Sequence, residues 1–525
     1  MDARCADAVY YNGRIFTFSS GKKVVQAVAV ADGTVIGVGA DKDMRRTAPR
    51  GSEKIDLGGK TVVPGFIDSH THFLQMGVDA LSVDMFDAKS LDDALKRLKA
   101  AARQTPEGEW IIATNYRESN WPEGRFITRN DLDECCPLNP TVAHRICGHL
   151  SSINSKAVDA VPVTSETPGA ETDSSGRLTG IVTEAGVAAV RAATAPTHQK
   201  KMKGLRHAMR KAHSLGVTSI QDNGEAGDFR IFREAEQKDR LKVRVWFNTP
   251  SSGLDSLTSL GVTSGIGSQL LKLGGVKIFC DGALGARTAA VSEPFADAPD
   301  CRGMLVHSEE EMREMASAAN EAGIQLVIHA IGDRGIEVAL SSIEYALRHK
   351  RRRNHRHRIE HVELPSRGHI ARMRKHAVIA SMQPNFVGEW SGIDGMYTER
   401  LGQERANRNN PFREVLDAGV KLAFGSDCMP FSPMYGIRSA VNAPYPSQRL
   451  TVEEAFLSYT RDAAFASFEE DEKGSIAAGR VADFAVLSDN PFSEAGVLDS
   501  LRVIKTVIGG EVVFDRSHRK GAKSS

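Results

Sequence analysis

The sequence predicts an α/β protein whose centre is a (β/α)8 TIM-like barrel, joined by a small β-sandwich and an insertion domain. Apolar strand-like runs alternate with helical stretches through the middle of the 525-residue chain, short alternating segments occupy both ends, and a long segment separates the first two strand runs. Eight βα units in succession are typical of a barrel, whose chemistry lies at the carboxyl ends of the strands. The eight predicted strands are Val62–Asp68, Val217–Asp222, Val243–Asn248, Gly275–Phe279, Gln325–His329, Arg358–Val362, Val378–Gln383 and Lys421–Ser426.

The two ends of the chain have the pattern of small β-sheet pieces. An Asn-Gly pair at residues 12–13 and a Gly-Gly pair at residues 509–510 separate alternating segments, as hairpin turns do. Neither end holds enough apolar residues for a core of its own. We therefore expect residues 1–61 and 468–525 to combine into one β-sandwich.

A long segment separates the first predicted strand from the second. About 120 residues lie between Phe73 and Thr197, far more than one helix needs. They include the strand-like stretches WIIATNY and TVAHRI and the Gly/Ser/Thr-rich stretch TSETPGAETDSSGRLTG. We expect residues 75–195 to form an insertion domain that acts as a lid, and residues 62–74 plus 196–467 to form the catalytic barrel.

The composition is typical of a soluble globular protein with almost no net charge. Hydrophobic residues make up 41% and charged residues 25%, and 67 Lys and Arg residues balance 66 Asp and Glu residues. A nucleic-acid partner is therefore not expected. The basic run at residues 348–358, RHKRRRNHRHR, could hold phosphates, although a cationic helix end and a solvated turn are enough to explain it.

Signals for targeting and for disulfides are both missing from the sequence. No apolar run is long enough to cross a bilayer, and the first residues, MDARCADAVYYNG, lack the apolar stretch of a signal peptide. Seven cysteines, an odd number, show no CxxC spacing. We expect a cytoplasmic protein with reduced thiols and no membrane contact.

Two histidines close the first predicted strand, in the stretch PGFIDSHTHF at residues 64–73. Side chains alternate along a strand, so His70 and His72 project from one face and could bind one metal ion. A strand end with two solvated or packed histidines has the same sequence, so the pair alone does not decide between these interpretations. Ligand-type residues at the ends of later strands would decide it.

Four such residues occur at the ends of later strands. Lys277 lies on the fourth strand, His329 ends the fifth, His361 lies at the end of the sixth, and Asp427 follows the eighth. Each alone is weak evidence, but residues of these types at matching positions rarely coincide. A lysine ammonium has no lone pair, so Lys277 is either converted by carbon dioxide to a carbamate that bridges two ions, or paired with Asp281.

The motifs resemble those of the amidohydrolase superfamily, and within it the amidohydrolase 3 or YtcJ-like family, which includes N-substituted formamide deformylases. The matching set is specific for the family but not for the substrate. It covers nearly the whole chain and consists of NGRIFT, VVPGFIDSHTH, GHLSSINSKA, GRLTGIVTEA, KIFCDGALGARTA, IHAIGDR, IEH, GSD, GSIAAGRVADFAVLSDNP and VIGGEVV.

The resemblance implies a centre for one or two divalent ions, with zinc as the expected metal. The first two histidines would bind one ion and the later two the other, with a carbamylated lysine as the bridge and the aspartate as a ligand and proton carrier. Whether one or two ions bind, and whether the lysine is modified, remains open at this point. The residues concerned are His70, His72, Lys277, His329, His361 and Asp427.

The activity implied by this centre is hydrolysis of an amide-like C–N bond in a small molecule, such as an N-formyl or N-acyl amine. The metal would activate water as hydroxide and polarise the carbonyl, and Asp427 would pass the proton to the leaving amine. The sequence contains no GxSxG, Walker or Rossmann motif that would indicate acyl-enzyme, nucleotide or hydride chemistry.

Four residues are candidates for substrate contacts, and each has a plainer interpretation. Arg287, in GALGART after the fourth strand, could hold a carboxylate or carbonyl group. Trp121, His149 and Asn154 lie in the insertion, where His149 could instead bond its own loop and Asn154 could cap a helix. The substrate itself is not determined, and a homodimer is left open.

Two alternative functions belong to other classes. A heterocycle deaminase or cyclic amidohydrolase of the same superfamily typically keeps one metal and a glutamate near the fifth strand. No glutamate ends that strand, and Glu360 is predicted on the opposite strand face from His361. A non-catalytic relic barrel would be expected to have lost a ligand or Asp427, and none is missing.

Overall fold

The structure is a computed structural model of the chain. It describes residues 5–21, 23–145, 150–183, 185–493 and 497–517. The chain forms two compact units, one from the residues up to Leu74 together with those from Ala208 onward, and one from Gln75–His207. None of the helices in the described ranges has the length and apolarity of a membrane span.

The first unit is built around a sheet of eight parallel strands, so the predicted (β/α)8 barrel is confirmed. The strands are β1 Phe66–Thr71, β2 Val217–Asn223, β3 Arg244–Pro250, β4 Leu271–Phe279, β5 Leu326–Ala330, β6 Arg358–His361, β7 Ile379–Met382 and β8 Leu422–Phe424. Their order in the sheet follows the chain. Beyond the end of β8, the backbone N–H of Asp427 donates to the carbonyl oxygen of His70 at 2.8 Å, which brings β8 beside β1 and nearly closes the barrel.

The apolar run that precedes the barrel forms two strands rather than one. Thr61–Pro64 pairs antiparallel with Phe484–Leu487 in a different sheet, and β1 begins two residues later. At Gly65, between them, a Cβ atom would lie 2.2 Å from the hydroxyl oxygen of Thr218, so a glycine is needed. The predicted strand start at Val62 is therefore wrong. The reason is that both strands are buried, which makes their residues one continuous apolar run.

Helices follow the barrel strands and bury one face each. Helix Glu309–Glu321, for example, begins with a capping box between Ser308 and Glu311 and buries Met312 and Ala316. Two helices, Phe73–Asp79 and His198–Ser214, include residues of both units. The α-helices of the first unit alone are Asp41–Arg46, Asp228–Gln237, Leu254–Ser259, Glu309–Glu321, Asp333–His349, Arg367–His376, Pro384–Trp390, Met396–Leu401, Gln403–Ala406, Phe412–Asp417, Pro433–Val441, Val452–Ser458, Arg461–Ala466 and Val497–Ser500. Ser251–Gly253 and Pro446–Gln448 are short 3-10 helices.

Both ends of the chain contribute to one six-stranded sheet. A four-stranded sheet from the N-terminal part shares a buried apolar cluster with it, in which the rings of Tyr10 and Phe484 meet edge to face at 4.8 Å. In spatial order the six strands are Glu511–Asp515, Val503–Ile508, Phe484–Leu487, Thr61–Pro64, Arg14–Phe16 and Val24–Val25, and the four are Thr34–Gly39, Ala27–Ala31, Ala8–Tyr11 and Glu53–Asp56.

The second unit has a six-stranded sheet with two apolar clusters of its own, one around Leu98, Tyr116 and Leu132 and one around Val142 and Val182. Its strands in spatial order are Ala170–Thr172, Leu178–Thr183, Leu150–Ile153, Thr141–Arg145, Ile111–Tyr116 and Val83–Asp84. Its helices are Leu91–Ala102, Arg129–Cys135, Ser155–Ala160, Ala185–Ala193 and the 3-10 helix Glu118–Asn120.

Candidate metal centre

Three side chains from the two edges of the barrel sheet converge at its mouth. His70 and His72 come from the end of β1, and Asp427 comes from the turn after β8. The Nε2 atoms of His70 and His72 lie 3.5 Å and 3.3 Å from Asp427 Oδ1. One ligand atom from each residue lies within 4.8 Å of the others, so a single cation could bind all three.

The close approach of two strands places Asp427 beside the histidines. A Cβ atom at Gly425 would lie 2.4 Å from the backbone nitrogen of His70, so a larger residue would push the strands apart. Asp427 has a left-handed φ of 51°, a conformation that aspartate adopts more readily than most residues. The GSD motif therefore combines a glycine required by packing with a carboxylate turned toward β1.

Hydrogen bonds at Nδ1 orient both histidines of β1. His70 Nδ1 lies 2.5 Å from Glu360 Oε2, and His72 Nδ1 donates to the carbonyl oxygen of Asn223 at 2.9 Å. Burial lowers the pKa of His70 well below its ordinary value and that of His72 to about 4, so both rings are neutral near pH 7. Each ring then directs an unprotonated Nε2 at Asp427. When Asp427 is ionised, two nitrogen lone pairs and a carboxylate oxygen converge, a set that fits a divalent cation.

A second histidine pair lies next to the first. The ring centroids of His329 and His361 are 4.5 Å apart, and those of His361 and His70 are 4.8 Å apart. His329 Nε2 donates to the carbonyl oxygen of Gly282 at 2.9 Å, which leaves its Nδ1 unprotonated. His361 Nδ1 is buried and has no hydrogen-bond partner among the described residues. This pair also has nitrogen atoms available to a cation.

Lys277 on β4 is buried with its amine unpaired. The residue is 4% exposed, Nζ has no hydrogen-bond partner in the part of the chain that the structure describes, and the ring of Phe279 lies 4.9 Å away. The alternative ion pair with Asp281 is not formed, because that carboxylate accepts the backbone N–H groups of Ile331 and Gly332. Burial lowers the pKa of Lys277 to about 8, and the neutral amine is the form that adds carbon dioxide.

Glu360 is a site residue that the sequence analysis placed wrongly. Rather than facing away, its fully buried carboxylate lies between His70 and Arg358, whose Nε is 2.7 Å from Glu360 Oε1. Strand alternation fails at His361, which has a left-handed φ of 73°. Arg358 and Glu360 are two residues apart on one strand, a spacing that predicts both side chains on the same face of the sheet. In the structure this is the inner face. Glu360 therefore orients His70 and is closed to a substrate.

Asp427 is both a candidate ligand and a candidate proton carrier. Burial raises its pKa to about 7, while the positive charge of Lys277 acts to lower the pKa. Its side chain retains 16% exposure, so it can be reached from the barrel mouth. A carboxyl group in this state can hold or release a proton near neutral pH.

A cavity of about 330 Å³ opens beside this centre. His329, His361 and Asp427 line one side of it. Most of the remaining wall is apolar and includes Leu284, Ile331, Phe386, Trp390 and Met396. The cavity therefore suits a small molecule with an apolar body and a polar reacting group at the histidine end.

Two of the predicted substrate contacts already have partners within the protein. Arg287 forms a bidentate ion pair with Asp297, at 3.0 Å and 2.6 Å, which occupies its guanidinium. Trp121 is a core residue, 5% exposed, whose indole N–H donates to the Ala88 carbonyl oxygen at 2.9 Å. These contacts favour a structural role for both side chains and give no support to the predicted substrate contacts.

The two other candidates have different outcomes. Asn154 caps helix Ser155–Ala160 by accepting a hydrogen bond from the backbone N–H of Ala157, which is its plainer interpretation. His149 lies outside the described residues.

Three arginines of the basic run contact other parts of the fold. Arg352 donates to the carbonyl oxygens of Ile324 at 3.0 Å and Gly323 at 3.1 Å, beyond the end of helix Glu309–Glu321. Arg356 pairs with Glu470 and Arg358 with Glu360. These three side chains act as a cationic helix end and as structural ion pairs.

Fold and site together define a class of protein: a (β/α)8-barrel hydrolase with a candidate metal centre at the carboxyl ends of its strands. The chain belongs to the amidohydrolase family, whose model, described as "Amidohydrolase family", matches residues 53–514. It is an enzyme that acts on C–N bonds. The resemblance drawn from the sequence motifs is confirmed.

Individual relatives match the chain over nearly its full length. The YtcJ protein of Bacillus subtilis (strain 168) is 30% identical, covering 97% of this chain and 100% of the relative. The N-substituted formamide deformylase of Arthrobacter pascens is 29% identical, covering 97% and 99%. The crystal structure of an uncharacterized metal-dependent hydrolase from Pyrococcus furiosus is 31% identical, with a TM-score of 0.80 and coverage of 93% and 100%.

Proposed function

We propose that this chain hydrolyses the amide-like bond of a small N-formyl or N-acyl amine at a divalent-metal centre, with zinc as the expected ion. The observation that carries the proposal is the convergence of His70, His72 and Asp427, whose ligand atoms lie within 4.8 Å of one another. A relative named as an N-substituted formamide deformylase, similar along nearly the whole chain, supports this reaction class.

The residues present fit one ion and offer ligands for a second. Zinc suits a mixed nitrogen and oxygen set of this kind. When bound, a divalent ion supplies Lewis acidity, which lowers the pKa of water and polarises a carbonyl group. The proposed ligands are His70, His72, His329, His361, Asp427 and a carbamate on Lys277.

The carbamate is proposed because an unpaired buried ammonium is unfavourable beside a cation site. The ammonium first loses one proton, and the neutral amine then joins its Nζ to the carbon of carbon dioxide and releases a second proton from the nitrogen. A cationic side chain thereby becomes an anionic one with two ligand oxygens. Supporting this, Nζ is buried without a hydrogen-bond partner in the described ranges, and its pKa is lowered to about 8 by burial.

Asp427 is proposed to move the proton. Its carboxylate accepts a proton from the attacking water as the new C–O bond forms, and delivers it to the nitrogen as the C–N bond breaks. Glu360 keeps His70 Nε2 directed at Asp427 throughout. The apolar wall of the cavity, with Phe386 and Trp390, would hold the body of the substrate.

The experiment is a hydrolysis panel run on protein purified without chelator, together with elemental analysis. The main set of test compounds consists of N-formyl and N-acyl amines that carry a single ring. This set is the main arm of the panel. Cytosine and a cyclic amide test the alternative of deamination or ring opening. Amine release from the main arm supports the proposal. Ammonia released from heterocycles alone would favour the alternative, and metal-replete protein inactive on every compound would refute the proposed chemistry.

A pair of histidine variants distinguishes the loss of a metal ligand from the effect of replacing any histidine. His72→Ala should lose both metal and turnover because it removes a ligand. His349→Ala is the matched control, since this exposed histidine bonds a carbonyl of its own helix and should change neither. Equal losses in both variants would count against the assigned site.

A further inference from the structure

A carboxyl group that the proposed mechanism does not use lines the same cavity. Glu363 follows β6 by two residues and is 2% exposed. It shares the cavity with His329, His361 and Asp427, so a molecule held at the candidate metal centre could also contact it.

Glu363 belongs to a cluster of buried polar atoms that lack hydrogen bonds. Glu363 Oε2, the Tyr397 hydroxyl and both amide atoms of Asn410 have no hydrogen-bond partner of normal geometry among the described residues. Burial raises the pKa of Glu363 to about 8, although the nearby Tyr397 hydroxyl and Asn410 side chain act to lower the pKa. Burying such groups unpaired is costly, so protein interiors normally satisfy them.

The backbone fixes this cluster in place. The backbone N–H of Asn410 donates to the carbonyl oxygen of Glu363 at 2.7 Å, and Asn410 holds a left-handed φ of 46°. Tyr397 lies on helix Met396–Leu401 and is 1% exposed. Glu363 and Tyr397 therefore belong to the cavity wall, and Asn410 is fixed beside them through the backbone of Glu363.

Three of these four unpaired atoms can accept hydrogen bonds, and the fourth, Asn410 Nδ2, only donates. Glu363 Oε2 and Asn410 Oδ1 accept hydrogen bonds, and the Tyr397 hydroxyl can accept as well as donate. An amino group has two or three N–H donors on one atom and matches such a set. The neighbouring cavity wall is apolar, including Phe386, which suits the hydrocarbon body that would carry the amino group.

We propose that Glu363, with Tyr397 and Asn410, forms a specificity subsite for a free amino group on the substrate, remote from the bond that is cleaved. The inference rests on the proposed function for the position of the scissile bond. It narrows the substrate class to N-acylated compounds that carry a second, unacylated amino group on an apolar body. Glu363 in this role determines specificity and takes no part in bond cleavage.

The test uses two compounds that differ in one group of similar size. N-formyl-4-aminobenzylamine presents an amino group where N-formyl-4-methylbenzylamine presents a methyl group, and the 3-substituted isomers extend the pair to a second position. We expect kcat/KM of the wild-type protein to be about 10- to 100-fold higher for an amino compound than for its methyl partner. A wild-type ratio near one at both positions would overturn the proposal.

Variants test whether the cluster residues cause the higher kcat/KM for the amino compound. Glu363→Leu should bring the ratio to one or below, and Tyr397→Phe should lower it in part. Met396→Leu, on the apolar wall, is the control and should change both compounds alike. If Glu363→Leu does not fold, Glu363→Gln keeps the shape and should still lower the ratio severalfold. An unchanged ratio in the folded Glu363 variant would overturn the proposal.

A binding measurement keeps this inference separate from the proposed reaction. Calorimetry with 4-aminobenzyl alcohol and 4-methylbenzyl alcohol, which differ only in the amino group and contain no amide, reports the same preference without catalysis and should show the same dependence on Glu363. If no amide is hydrolysed but the amino compound still binds more tightly through Glu363, the proposed function fails and the subsite stands. Equal binding of the two alcohols would refute the subsite, whatever the hydrolysis panel shows.

Discussion

The role of a histidine at the barrel mouth depends on which ring nitrogen is held by a protein contact and which is left free for a metal ion. Glu360 holds His70, and the Asn223 carbonyl holds His72, so both present Nε2 to Asp427. The HxH motif predicts the residue type and the shared face, but it does not state which nitrogen is free. In metal sites generally, removing a group that orients a ligating histidine by a hydrogen bond weakens metal binding about 10- to 100-fold.

Asp427→Asn tests the proton carrier at the residue scale. Asparagine keeps the size and polarity of the side chain but cannot accept the proton, so turnover should fall by roughly 10²–10⁴-fold. Metal content, measured by elemental analysis, should change much less, because His70 and His72 remain. Near-normal turnover in this variant would mean that another group moves the proton.

Lys277→Ala tests the carbamate at the same scale. The variant should be inactive because it loses an anionic ligand, and acetate or propionate with added metal should restore part of the activity by occupying the vacated position. Lys421→Ala is the control, since this side chain is 51% exposed and should not need rescue. Full activity of Lys277→Ala without any added carboxylate would exclude the bridging role.

At the scale of elements, a network of charged side chains joins two neighbouring helices that follow strands β5 and β6. Arg372 on helix Arg367–His376 donates to Glu337 at 2.7 Å and to Glu344 at 2.8 Å, both on helix Asp333–His349. Because one guanidinium bridges two carboxylates, the helices are held by a network rather than an isolated surface pair. Networks of this kind contribute more reliably than single exposed pairs.

Arg372→Met should therefore destabilise the protein in a pH-dependent way. The hydrogen bond from Arg372 lowers the pKa of Glu337 from 4.5 to about 2. The contribution of the Arg372–Glu337 pair to the free energy of unfolding is therefore complete above pH 4.5, and it is lost as the pH falls from 4.5 to 2. Since Glu337 is 47% exposed, we expect a loss of about 1 kcal/mol or less at pH 7.

The measurement is the thermal midpoint of chelator-treated protein, wild type against variant, at pH 7 and near pH 2. The difference should be clear at pH 7 and close to zero at the acid end. Arg313→Met, which breaks a single exposed pair with Glu309, provides a control with a smaller difference. A difference that grows on acidification would contradict the assigned origin of the pKa shift.

At the scale of the whole molecule, every candidate metal residue belongs to one of the two units. The ligands reach the mouth from β1, β4, β5, β6 and the turn after β8, so a bound ion ties together strands from both edges of the barrel sheet. Gly425 and the Asp427 backbone bring these edges together. A metal ion should therefore stabilise this unit as a whole.

Removing the metal should lower the thermal midpoint of the protein. Binding to the native state alone adds about 3–4 kcal/mol when the free metal is 100- to 1,000-fold above its Kd. Dialysis against a chelator should remove this stabilisation, and zinc should restore it, as followed by calorimetry. His72→Ala should respond less to either treatment, and an equal response of variant and wild type would place the stabilising ion elsewhere.

The sequence by itself determined the barrel, the strand ends that carry chemistry and the residues of the candidate centre. These features follow from local patterns: apolar runs alternating with helices, and ligand-type residues such as His70, His329 and Asp427 directly after apolar runs. The family followed from motifs of the same local kind. The expected sheet shared by both termini rested on a similar argument, that neither end could build a core alone.

Tertiary structure decided what depends on contacts between distant segments. The orienting role of Glu360 arises from a 2.5 Å contact with His70, 290 residues away in the chain, and from a left-handed turn at His361 that breaks strand alternation. The protein partners of Trp121 and Arg287 were likewise not predicted, because a sequence does not show whether a polar group already has a partner. The start of β1 was misplaced since two buried strands in succession give one apolar run. Pairing and burial are properties of the folded chain, so residue type predicted the chemistry while the fold decided which atoms are free to perform it.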